Sequence, residues 1–122
     1  GGMMQDIRNL VQLTLDRAFA RQIPVVAEEL VTDKMPEEYI AYSVVSSTYS
    51  AYANNRPIQR RDSVDVDWHG SRLSKKDARM AAVETAMRAA GFLVESLPYD
   101  LGRDPVSRRY GATMEFVLYR TV

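Results

Sequence analysis

Residues 62–69 read Asp62-Ser63-Val64-Asp65-Val66-Asp67-Trp68-His69, and this stretch decides the fold. In an extended chain Val64, Val66 and Trp68 fall on one side, and Asp65, Asp67 and His69 on the other. Alternation of apolar and polar residues is the pattern of a half-buried strand.

Beyond it, residues 74–90 carry Ala78, Met80, Ala81, Val83, Ala86, Met87 and Ala90 at helical spacing. These small side chains let a helix lie close on a sheet. Ser74 stands at the N-cap, and Asp77 three residues later makes an acidic variant of the capping box. Gly91 sits where a left-handed C′ residue belongs, with Phe92 as its hydrophobic partner. Residues 92–97 read as a strand and 99–109 as a polar loop with Gly102 and Pro105. Residues 110–122 close the chain as a strand, with Ala112, Met114, Phe116 and Leu118 on its apolar face.

Before it, residues 54–61 (NNRPIQRR) read as a connecting loop, which suits antiparallel pairing of the strands on either side. Residues 39–49 are the longest strand candidate. Neither face of that strand carries a charge, so it is expected to be central or covered on both sides. Residues 32–38 have turn composition, and 25–27 form a short strand. Ile7, Leu10, Val11, Thr14, Leu15, Ala18 and Phe19 predict a helix over 4–21, which Pro24 ends. The order is α-β-β-β-α-β-β. It predicts a single α+β domain over 3–122, with two helices and a mostly antiparallel sheet. Gly1 and Gly2 read as a cloning scar before a natural start at Met3 or Met4.

The chain has 122 residues, 46% hydrophobic and 26% charged, which is ordinary for one globular domain. Sixteen basic residues balance sixteen acidic ones, which weighs against a protein devoted to nucleic acid. The absence of cysteine removes disulfides, thiol nucleophiles and Cys-metal sites. No signal peptide is visible. The longest uncharged run, 39–55, is shorter than a membrane span and rich in Ser, Thr, Tyr and Asn. The expectation is a soluble protein made in a cytoplasm, with no membrane contact.

Three groups of residues are candidates for chemistry. Asp65, Asp67 and His69 at i, i+2 and i+4 offer oxygen and nitrogen donors for a divalent cation or for acid/base work. Alternation alone also requires polar residues there, and the solvent face of a strand is the favoured reading. Arg56, Arg60 and Arg61 fall in one expected loop, and Arg103, Arg108 and Arg109 in another. These six are the candidate partner contacts, because arginine pairs with carboxylate or phosphate. Tyrosines 39, 42, 49, 52, 99, 110 and 119 beside them suggest base stacking, against ordinary strand composition. No nucleotide-binding or hydrolase motif occurs. With one histidine, the expectation is a protein without catalysis, metal or cofactor.

The chain resembles the phage tail-completion, or tail-terminator, family of head–tail connection proteins of long-tailed phages. The matching features are an N-terminal helix before Ile23-Pro24-Val25-Val26, and Pro36-Glu37-Glu38-Tyr39-Ile40-Ala41-Tyr42 opening a long strand. A charged loop, Ser63-Val64-Asp65-Val66-Asp67, a helix and Gly111-Ala112-Thr113-Met114-Glu115-Phe116 follow. The resemblance implies a ring, commonly of six subunits, that caps the tail tube and offers a docking surface to the head connector. It implies no cofactor and no active site. Its partners would be other copies of itself, the tail-tube protein and the head-connector protein, with passing contact to DNA. It would reside in the bacterial host cytoplasm during assembly and then in the virion tail. A small nucleic-acid-binding module is the alternative.

Overall fold

The computed structural model describes residues 3–122, with side chains from Ile7 onward. The expected scar at Gly1 and Gly2 lies outside the described residues. Two helices and five strands follow in the order α-β-β-β-α-β-β. They are α1 (Met3–Ala18), β1 (Val25–Ala27), β2 (Glu38–Ala53), β3 (Arg56–Gly70), α2 (Lys76–Ala89), β4 (Leu93–Arg103) and β5 (Tyr110–Thr121). The strands form one sheet in the order β1-β2-β3-β5-β4, parallel only between β1 and β2. This is the α+β architecture the alternation and helix patterns predict.

Both helices lie on one face of the sheet. Ile7, Val11 and Leu15 of α1 and Met80, Val83 and Met87 of α2 are buried against Ile40, Val64, Val66, Trp68, Met114 and Phe116. The indole N–H of Trp68 donates to Glu38 at 2.8 Å, and Arg79 donates to the same carboxylate at 2.9 Å. Burial alone would raise the Glu38 pKa, but these two hydrogen bonds outweigh it and hold the carboxyl below its ordinary value. Gly70 continues β3 beneath the Trp68 ring. A Cβ there would stand 2.4 Å from Cζ2, so only glycine lets the ring lie flat over the strand.

The chain leaves α2 as expected. Gly91 has φ +99°, its N–H bonds to Arg88, and the Phe92 N–H bonds back to Met87. That is a Schellman ending, with Phe92 buried. The start of α2 differs from the capping-box reading. A 3-10 turn, Leu73–Lys75, leads into the helix, and Ser74 lies inside it rather than at a cap. The end of α1 differs too. The helix stops at Ala18, because Ala20 and Arg21 adopt positive φ well before Pro24.

The largest departures are in the expected loops. Residues 54–61 are not a loop. Asn54 and Asn55 alone turn the chain, both at positive φ, and β3 already begins at Arg56. Two residues at positive φ are the tight hairpin turn whose twist matches its strands. Pro57 is tolerated because β5 pairs with β3 only as far as Gln59, so no central ladder is interrupted. β2 and β3 therefore extend past the rest of the sheet as a two-stranded arm. β4 likewise runs through Pro98 to Arg103, an edge position where proline is admitted. β2 is not central. β3 is, and β2 is flanked on its outer side only by three residues of β1.

At the base of the arm the helix-side alternation of β3 continues into charge. Arg60 is 4% exposed and Asp62 fully buried. Asp62 accepts hydrogen bonds from Arg60 at 3.0 Å, from Arg120 at 3.0 Å and from Ser47. Burial would push its pKa up, but these three partners hold it below the usual value. The network fastens β2, β3 and β5 where no helix covers them. Removing one member of a buried ion pair typically costs about 3–5 kcal/mol. Asp62→Asn is therefore expected to lower unfolding stability by ~3 kcal/mol in urea titration, and Tyr49→Ser on the exposed arm to change it little.

Candidate functional site

Neither α1 nor α2 lies on the second face of the sheet, and the 3-10 turn Glu28–Leu30 stands near Asp67 at its β1 side. The centre of this face is lined by Asp65 and Asp67 of β3, Thr113 and Glu115 of β5, Ser43 of β2 and Glu95 of β4. Asp65 lies directly opposite Glu115 across the β3–β5 ladder. Like charges directly opposite on paired strands repel. Burial pushes the Asp65 carboxyl up to about 6, with Glu115, Asp67 and Glu95 adding to the rise. Burial also raises Asp67, against a Thr113 hydrogen bond and the neighbouring His69.

His69 stands beside Asp67, with Nε2 3.9 Å from the carboxylate, and stacks on Tyr39 at 4.9 Å between ring centroids. Burial lowers its pKa, against the neighbouring Asp67 carboxylate, and so favours the neutral imidazole. Asp65, Asp67 and His69 do share one face of β3, as the alternation requires. They run along the strand without converging. Among the described residues no three His, Cys, Asp or Glu side chains are grouped to hold a metal ion.

The six arginines fall in four settings. Arg56 is exposed beside the arm's turn. Arg60 belongs to the buried Asp62 network. Arg61 points to the open face, bonded to Glu95, Ser63 and Tyr119. Arg103, Arg108 and Arg109 meet at the β4–β5 turn. That turn is hydrogen-bonded within itself: Asp104 accepts from the N–H groups of Val106 at 2.7 Å and Ser107 at 3.0 Å. Arg103 donates to the Arg108 carbonyl and lies over the Tyr110 ring. Arg109 donates to the carbonyls of Met35 and Pro36 and lies over Tyr39. It pins the 32–37 turn beside an open cleft of about 730 Å³ that Thr32, His69, Leu101 and Val106 help to line. Arg56 and Arg108 are therefore the members most available to a partner, and Arg60 is turned inward.

The tyrosines form no single platform. Tyr39 and Tyr42 are buried, on opposite faces of β2. Tyr49 and Tyr52 meet edge to face on the arm at 6.2 Å, and Tyr99 and Tyr119 are exposed elsewhere.

What residue-by-residue reasoning missed is the gathering of exposed apolar side chains. Tyr49 and Tyr52 on β2 touch each other near the arm's turn, Ile58 is exposed on β3 and Val45 farther back on β2, and Leu93, Leu97, Tyr99 and Leu101 are exposed along β4. Val106 is 90% exposed at the tip of the β4–β5 turn. The signal was present in β2, whose long run lacks charge although it lies near an edge. No helix among the described residues is long and apolar enough to cross a membrane. Models of known protein families and curated protein sequences give no match to this chain.

The raised pKa of Asp65 has a consequence for stability. Its folded value lies above the unfolded one, so the folded chain takes up the proton more readily. The contribution is fully present below the unfolded pKa and is lost as pH rises through about 6. Thermal unfolding at pH 5 and pH 7.5 tests this. Asp65→Asn is expected to raise the melting temperature at pH 7.5 and to narrow the difference between the two pH values. An unchanged difference contradicts the placement of Asp65 among uncompensated carboxylates.

Proposed function

We propose that this chain is a structural protein of a long-tailed phage or prophage. It caps the tail tube and helps join tail to head, acting as an oligomeric ring without catalysis. The observation that carries the reading is the spare apolar surface. Fourteen large hydrophobic side chains are exposed among the described residues, and eight of them lie on β2, β3 and β4. Apolar exposure gathered in patches marks a surface that meets other proteins.

Two such patches on different parts of one subunit suit head-to-tail contacts, which close into a ring when the rotation allows. The element order, α-β-β-β-α-β-β, is also the order on which the resemblance to tail-completion proteins rests. Arg56 and Arg108 stand at projecting turns, where they meet carboxylates of an adjoining ring or phosphates of passing DNA. Tail-tube and head-connector proteins are the partners this role requires. The setting is the host cytoplasm during assembly and the virion tail afterwards. The nucleic-acid reading is weaker, since Arg60, Arg61 and Arg109 are engaged within the chain and the uncovered sheet face is acidic.

Disrupting the gene in the phage or prophage that carries it, and imaging the lysate by electron microscopy, tests this role. Filled heads beside overlong or unattached tails are expected. Overlong tails indicate failed termination, and tails of normal length failed joining. Normal infectious particles would overturn the proposal.

A further inference from the structure

The two edges of the sheet are built differently. The β4 edge carries Glu95, Asp100 and Arg103 and has Pro98 within it. Charge and proline are devices that keep an edge strand from pairing with another chain, whereas register shifts occur three times in β4 against β5 and three times in β2 against β3 and do not separate the two edges. On the opposite edge β1 covers only Ile40, Ala41 and Tyr42 of β2. Beyond them residues 43–53 read SVVSSTYSAYA, eleven residues without a charge, a proline or a glycine. Among the described residues no strand pairs with the outer side of this run. Val45 and Tyr52 on it are 59% and 62% exposed.

We propose that residues 43–53 of β2 pair antiparallel with the same residues of a second copy of this chain, joining two sheets across a two-fold axis. An open strand edge presents unpaired N–H and C=O groups, so what it accepts is an extended chain. The β4 edge of another copy is a poor occupant because of its charges and proline. The β2 edge is self-complementary. Antiparallel pairing sets uncharged residues against uncharged residues in every register, and no like-charge pair opposes contact.

The length of the edge sets the strength. Eleven residues at ~3.4 Å each span ~37 Å, and a sheet edge about 10 Å deep then buries roughly 370 Å² per copy. That is about half the ~800 Å² per partner of a standard stable complex. The contact is a reversible one, aided by Val45, Tyr49 and Tyr52 along it. Its symmetry differs from that of the proposed ring, whose contacts are head-to-tail, because here one patch meets itself; both would use Val45, Tyr49 and Tyr52, so a given strand serves one contact or the other.

Sedimentation velocity of the whole chain across the micromolar range tests this, with cysteine scanning. The mass is expected to rise from one chain to two with concentration. Val45→Lys/Tyr52→Lys, both at exposed positions, is expected to remain a single chain with an unchanged melting temperature. The chain has no cysteine, so single changes Ser46→Cys, Thr48→Cys and Ser50→Cys report cleanly. At least one is expected to give disulfide-linked pairs on mild oxidation. A single-chain mass throughout, or a pair that survives the double lysine variant, would overturn the proposal. A larger assembly with no two-chain species would also overturn it, while leaving the ring reading standing.

Discussion

The period-two register of β3 is the constraint on which the rest of the structure depends. β3 is the central strand, so its alternation decides which side chains its neighbours offer to each face. A slip of one residue would carry Trp68 to the uncovered face and set Asp65 and Asp67 beneath the helices. Trp68 holds the register at one end, between Gly70 and the Glu38–Arg79 pair. Asp62 holds it at the other, gripped by Arg60, Arg120 and Ser47. The same face of one strand is thus apolar beneath the helices and ionic beyond them.

This arrangement leaves a two-faced sheet with unequal burdens. The helix face is closed by α1 and α2. The other face carries carboxylates opposed across the ladder, a mild internal strain that acid relieves. The arm carries its apolar side chains beyond the reach of both helices. A two-stranded ribbon is marginal by itself. The buried ion pairs at its base keep this one in place.

Much of the fold was legible because periodicity and termination signals agreed. Val64, Val66 and Trp68 marked the buried face of β3, Met80, Val83 and Met87 that of α2, and Gly91 the end of α2. The arm was hidden by chemistry that usually marks loops. Asn-Asn, a proline and paired arginines composed a loop by type, yet only the two asparagines turn the chain. Pro57 is harmless where the sheet is two strands wide. Arg60 is buried because Asp62, itself buried, accepts its hydrogen bond there, and no local pattern reveals that Asp62 is also held by Arg120, far along the chain. Ser74 had the composition of a cap, but a preceding 3-10 turn took that place. The uncharged run of β2 pointed to cover on both sides. Instead it left an open edge, and this was the most informative departure.

The proposed role, assembly at the end of a tail tube, is tested most directly by electron cryo-microscopy of purified tail tubes incubated with the chain. Added ring-shaped density at one end of the tubes and an arrest of their growth are expected. Tubes that bind no chain and continue to elongate would contradict it.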